Sequence, residues 1–153
     1  MHFTFNEGRI RLPSQWQDQS MQVLLATDNS GINLVISREA VPQGTLTPEL
    51  YQETLALYQE KLDGYTEHAC REITLAEDPA WLLDYSWNGP EEEGNQGRID
   101  QIAVFQRRGD TLLTFTFSAS VPLNNGQKAM LMDVITSFTP LPPEDDATQN
   151  PQG

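Results

Sequence analysis

The sequence predicts an α+β domain in which hairpin-linked antiparallel strands are flanked by two helices. Three observations carry that expectation. Short runs of alternating apolar and polar side chains recur along the chain, and some are separated by only four turn-forming residues. Two segments instead place apolar residues at helical spacing, one mid-chain and one near the C-terminus. Strands joined by tight connections pair antiparallel, and each helix needs a sheet face to cover.

The elements follow in order. Phe3 and Phe5 alternate with polar residues, Asn6-Glu7-Gly8 supplies a turn, and Ile10 and Leu12 resume the alternation up to Pro13. A second hairpin joins Met21–Thr27 to Ile32–Arg38 across Asp28-Asn29-Ser30-Gly31. A helix then begins with Thr47 as its cap, Pro48 in the first position and Glu49 at the positive end of the dipole. Tyr51, Leu55, Tyr58 and Leu62 form its stripe, and Gly64 stops it.

Trp81–Trp87 alternates as a strand, and Arg98–Gln106 and Thr111–Ala119 pair across Arg107-Arg108-Gly109-Asp110. The polar stretch from Asn88 to Gly97 is expected to be a mobile loop. A last helix is expected from about Gly126 to Ser137, capped by Asn125, with Leu131, Val134, Ile135 and Phe138 buried. Residues 1–140 are expected to form one domain, followed by an acidic, Pro-rich and disordered tail over 141–153.

Length and charge narrow the function. A chain of 153 residues suits one domain with a real core. With 22 acidic against 9 basic side chains its formal net charge is −13. That sign opposes nucleic-acid binding, which needs clustered cations, and opposes docking on an anionic membrane. No stretch reaches the roughly 20 apolar residues of a membrane span. Neither a basic nor a continuous apolar leader opens the sequence, and Cys70 is the single cysteine. A reducing, cytoplasmic setting is the expectation.

Chemistry-bearing motifs are sparse. His68 and Cys70 are spaced as a His-x-Cys pair, but four-ligand zinc has no second cysteine to draw on. No Gly-x-Ser-x-Gly elbow, phosphate-cradling loop or His-Glu-x-x-His helix occurs. Glu91, Glu92 and Glu93 read as a solvated run, and Arg108-Gly109-Asp110 as a hairpin turn. No catalytic residue, metal site or cofactor is assigned, so the chain is expected not to be an enzyme.

The strands are more informative. In Thr111–Ala119 one face carries Leu113, Phe115, Phe117 and Ala119, and the other carries Leu112, Thr114, Thr116 and Ser118. Ile99, Gln101, Ala103 and Phe105 likewise set a glutamine among apolar and small groups. Such a face suits a half-solvated sheet, where Thr is a good strand former. It equally suits a semi-polar groove, whose small side chains and hydrogen-bonding groups admit a Gly/Ala-rich membrane helix.

The opening stretch speaks to that choice. Phe5-Asn6-Glu7-Gly8, Leu12-Pro13, Trp16-Gln17-Asp18-Gln19-Ser20 and Val23-Leu24 resemble the N-terminal signature of Eag chaperones. These are effector-associated proteins of bacterial type VI secretion, related to the DcrB-like family. Looser matches continue through Leu34-Val35-Ile36-Ser37-Arg38, Asp63-Gly64-Tyr65, Gln101 to Phe105, Ser118-Ala119 and Ser137-Phe138.

The resemblance implies a curved antiparallel sheet of DcrB-like, Mog1/PsbP-like type. It also implies a cytoplasmic homodimer that shields the N-terminal transmembrane helices of a PAAR or Rhs effector and helps load it on the VgrG spike. Carried onto this chain, the client groove takes Val23, Leu25 and Val35 from the hairpin and Thr54, Tyr58 and Leu62 from the first helix. It takes Gln101 as its polar contact, flanked by Thr114 and Thr116. Val23, Val35 and Leu62 equally suit ordinary core positions. The alternatives are a general protein-binding module on the DcrB-like fold and an enzyme using Cys70 or an acidic pair.

Overall fold

The computed structural model describes residues 1–16, 19–89 and 97–141. Most of the expected loop and nearly all of the expected tail therefore lie outside the described residues. Within them the chain forms β1 (His2–Phe5), β2 (Gly8–Arg11), β3 (Gln22–Leu25), β4 (Asn33–Ala40), α1 (Thr47–Lys61), β5 (Thr66–Leu75), β6 (Asp78–Asn88), β7 (Arg98–Arg108), β8 (Thr111–Ala119) and α2 (Asn125–Thr136). β1 and β2 make a separate hairpin, and the other strands form one antiparallel sheet in the order β3-β4-β8-β7-β6-β5. The expected α+β class holds.

Because side chains alternate across a strand, the register sorts the apolar residues into two cores. On the α2 face Ile102 and Val104 meet Phe117 and Phe115 across β7–β8, and Leu131 and Ile135 of α2 close over them. On the α1 face Leu83, Tyr85, Ala103 and Phe105 receive Leu50 and Tyr51. Leu55, Tyr58 and Leu62 join this second core half-buried, so the expected stripe of the first helix is its packing face. Val134 differs from expectation: it is exposed, because α2 meets the sheet along Leu131 and Ile135 and turns the intervening residue outward.

Both helix starts shift by one residue from the sequence reading. Leu46 is the N-cap of α1 and makes no side-chain capping bond. Thr47 is already helical, and its hydroxyl accepts from Arg107 Nη1 at 3.4 Å. In α2 the cap is Asn124, whose side chain accepts from the Gln127 amide at 2.7 Å while Gln127 Oε1 accepts from the Asn124 amide at 3.0 Å. This reciprocal box satisfies two otherwise orphaned donors. Asn124→Ala is expected to cost about 1 kcal/mol of stability, read as a lower urea midpoint with an unchanged m-value.

β5 is the strand that the sequence reading missed. It lies at the sheet edge, its side chains are mostly exposed, and a bulge between Glu67 and Ala69 breaks its alternation. Its link to β6 is the two-residue turn Ala76-Glu77, with φ of 51° and 71°. Such a turn ordinarily announces itself with Asn or Gly. Here Gln106, fully buried on β7, braces it by donating to Leu75 O at 2.8 Å and Asp78 O at 3.2 Å.

Candidate functional site

α1 does not cover its face of the sheet evenly. It begins beside the β5–β6 turn, where the Tyr51 hydroxyl donates to Pro79 O at 3.3 Å. It ends near β6, where the Asn88 amide donates to Asp63 O at 2.7 Å. Between these points Tyr58 packs edge-on against Tyr85 at 5.5 Å and beside Phe105 at 5.9 Å. The helix is thus seated over β6 and β7. The core on this face takes no residue from β3 or β4. Val23 is 57% exposed and Leu25 71% exposed.

Register places the sequence-derived candidates on this one face. One rung runs Val23, Val35, Thr116, Ala103, Leu83, Cys70 across all six strands of the sheet. The next runs Leu25, Asn33, Ser118, Gln101, Tyr85 and Glu67, and a third joins Ser37, Thr114, Phe105 and Trp81. Val23 is therefore no core residue, while Val35, Thr114 and Thr116 are half-buried at the margin of the helix. From the uncovered edge toward α1 the face changes from aliphatic to hydroxyl-bearing to aromatic.

Tyr58, Leu62, Gln101 and Thr116 come together in an open pocket of about 430 Å³ at the C-terminal half of α1. Leu57, Lys61, Tyr85 and Trp87 complete its lining, and none of these four was singled out from the sequence. Leu57 lies off the apolar stripe and is 52% exposed. That departure from the packing face was its only sequence signal. Thr54 is half-buried on α1 but spends its hydroxyl proton on Leu50 O at 2.8 Å, leaving a methyl and lone pairs to offer.

Gln101 is held in a fixed orientation. Its Oε1 accepts from the Tyr85 hydroxyl and from Trp87 Nε1, the latter at 2.9 Å, and its Nε2 donates to Ser118 Oγ at 2.8 Å. Trp87 can only donate, so the amide has one permitted flip. One N–H of Nε2 has no hydrogen-bond partner among the described residues. Burial keeps Tyr85 far above the usual phenol range, with Tyr58 and Tyr65 adding to the shift. Burial, followed by the Glu39 carboxylate, raises Tyr58, opposed by a hydrogen bond to Thr116. Both hydroxyls stay protonated and able to donate.

The His68/Cys70 pair is split by the β5 bulge. His68 Nε2 lies 2.7 Å from Ser86 Oγ, and Ser86 donates to Asp100 Oδ1 at 2.6 Å on the α2 face. Cys70 instead packs into the α1-side core. Burial and then Glu67 raise its thiol, which disfavours the reactive thiolate. Among the described residues no three His, Cys, Asp or Glu side chains gather as metal ligands.

The chain is thus an antiparallel sheet with one helix per face, half of one face left bare. The family described as DcrB matches residues 7–137, and the chain belongs to it. It is also 25% identical over 117 residues to a Pseudomonas aeruginosa protein named effector EagT6, covering 74% of this chain and 79% of that one. These findings bear out the resemblance read from the opening stretch. Among solved structures, a P. aeruginosa protein of unknown function, PA94, superposes with a TM-score of 0.69 at 23% identity, covering 94% of this chain and 98% of that one. Cyanobacterial PsbP from Synechocystis sp. PCC 6803 gives a TM-score of 0.47 at 12% identity, over 76% and 79% of the two chains.

Proposed function

We propose that this chain is an effector-associated chaperone that holds the N-terminal transmembrane helices of a PAAR or Rhs effector in the cytoplasm before export. The observation that carries the reading is the half-bare α1 face, where Leu25 and Gln101 share one rung. A client helix lies across β3, β4 and β8 against α1. Val23, Leu25 and Val35 meet its apolar side chains, while Thr54, Tyr58, Leu62, Thr114 and Thr116 form the wall and floor. The free N–H of Gln101 reaches a client carbonyl, a useful partner where no water competes.

A membrane helix is apolar on every side, and shielding each 100 Å² of it is worth about 2.5 kcal/mol. Gathering two groove faces in a homodimer shields more of it. The net charge of −13 keeps the loaded complex dispersed. No described helix is long and apolar enough to cross a membrane, which agrees with a protein that receives such helices. The loaded effector is then passed to the VgrG spike, and this chain contacts VgrG only through its client. Similarity to effector EagT6 supports an effector as the partner, and DcrB membership points to a non-catalytic role.

Co-expression tests the reading. With this chain present, an effector fragment bearing its N-terminal apolar helices is expected in the soluble fraction as a stoichiometric complex. A fragment lacking those helices is expected to elute alone. Equal insolubility of the helical fragment with and without this chain overturns the proposal.

A further inference from the structure

At the end of α1 far from the candidate groove lies an open hollow of about 720 Å³. Thr47 and Tyr51 of α1, Asp78 and Pro79 of β6, and Arg107 and Arg108 of β7 line it. Two adjacent arginines are conspicuous in a chain whose net charge is −13. Among the described residues Arg107 has only neutral partners. Its Nε donates to Gly109 O at 2.9 Å, and its Nη1 donates to Thr45 O and Thr47 Oγ1. A guanidinium carries five N–H groups, so both donors on Nη2 are left to offer.

Arg108 is paired loosely. Its Nη1 donates to Gln106 Oε1 at 2.9 Å and lies 3.9 Å from Asp78 Oδ2, a side chain that is 63% exposed. An ion pair this long and this wet contributes little. The Arg108 guanidinium rests over the Phe138 ring, 5.5 Å from its centroid. Phe138 follows α2, and Leu141, the last described residue, is 90% exposed. The chain therefore leaves the described structure from beside the arginine pair, and Glu144-Asp145-Asp146 come next.

We propose that Glu144-Asp145-Asp146 dock in this hollow of their own chain, with Arg107 Nη2 and the Arg108 guanidinium taking their carboxylates. Reach favours this occupant. Glu144 is six residues beyond Phe138, a span of up to about 20 Å, and Arg108 stands over that same ring. Charge favours it too: three consecutive acids meet two adjacent arginines, one of which has no counter-charge among the described residues. A short tether holds the run at a roughly millimolar effective concentration, so weak contacts suffice. A run of this composition builds no core of its own. Charge is what holds it, and salt releases it. Tyr58 and Leu62 lie toward the other end of α1, so docking leaves the candidate groove open and does not depend on a client.

The test uses the full chain without any client. A nitroxide is attached at Ala147→Cys in a Cys70→Ala background, and backbone amide signals are read by NMR on isotope-labelled protein. At low salt the Thr47, Asp78 and Gly109 amides are expected to lose most of their intensity. They should recover at about 1 M salt, where the screening length falls to about 3 Å. They should recover equally when Glu144→Gln, Asp145→Asn and Asp146→Asn are combined. Those three substitutions lie outside the described fold, so the neutral tail tests docking without disturbing the hollow. The same variant is expected to shift the Arg107 Nε–H resonance and to leave that of Arg98, bonded to Gly64 O, Asn88 and Thr66, in place. Equal broadening by charged and neutral tails overturns the proposal. So does broadening centred on Arg9 and Arg11, the pair on β2. Broadening of a labelled chain by a nitroxide on a separate, unlabelled chain also overturns it, since the tail would then serve another copy.

Discussion

Phe105→Ala is expected to remove about 3–5 kcal/mol of folding free energy, a large share of the stability of a single domain. Phe105 is fully buried at the centre of the sheet and lies between Trp81 and Thr114 in register. Its ring meets Tyr51 at 6.2 Å and Tyr58 at 5.9 Å, so it contacts both aromatic anchors of α1. The void cannot easily collapse, since hydrogen-bonded strands hold the floor and a helix spans the opening. Urea unfolding should show the loss as a lower midpoint. A cost below about 1 kcal/mol would mean that the site relaxes into the gap and that α1 is not seated through this residue. Because Tyr58 also lines the candidate groove, the same variant should loosen the groove wall even where the protein remains folded.

Much of this architecture was legible in the sequence because its signals are local. The β3–β4 hairpin has apolar runs on both sides of Asp28-Asn29-Ser30-Gly31, and α1 has a stripe with Pro48 at its start. The shared face of Val35, Thr116 and Ala103 was foreseeable once the strands were assigned, since a period of two allows only two faces. β5 was not legible: its exposed edge position removes the apolar alternation, its bulge breaks the period, and its turn lacks Asn and Gly. Leu57, Lys61, Tyr85 and Trp87 reach the pocket through the way α1 crosses the sheet, which one chain's periodicity does not encode. The clamp on Gln101 was hidden for the same reason: its partners come from β6 and β8.

That clamp decides which substitution tests the groove. Gln101→Leu would strand the Tyr85 hydroxyl, Trp87 Nε1 and the Ser118 hydroxyl beside an apolar side chain. Each unsatisfied, partly buried group costs about 1–3 kcal/mol, so this variant loses stability along with any client contact. Leu25→Asp separates the two effects. Leu25 is 71% exposed at the edge strand, and exposed substitutions usually stay within about 0.5 kcal/mol. The free protein should therefore unfold at nearly the native urea concentration. Against an apolar client helix, however, the new carboxylate is desolvated without a partner, a penalty of several kcal/mol. Co-purification of a transmembrane-bearing effector fragment should fall at least tenfold, equivalent to about 1.4 kcal/mol. Full capture by folded Leu25→Asp would move the client path off the β3 edge and onto the pocket beneath α1, where Tyr58, Leu62 and Thr116 converge.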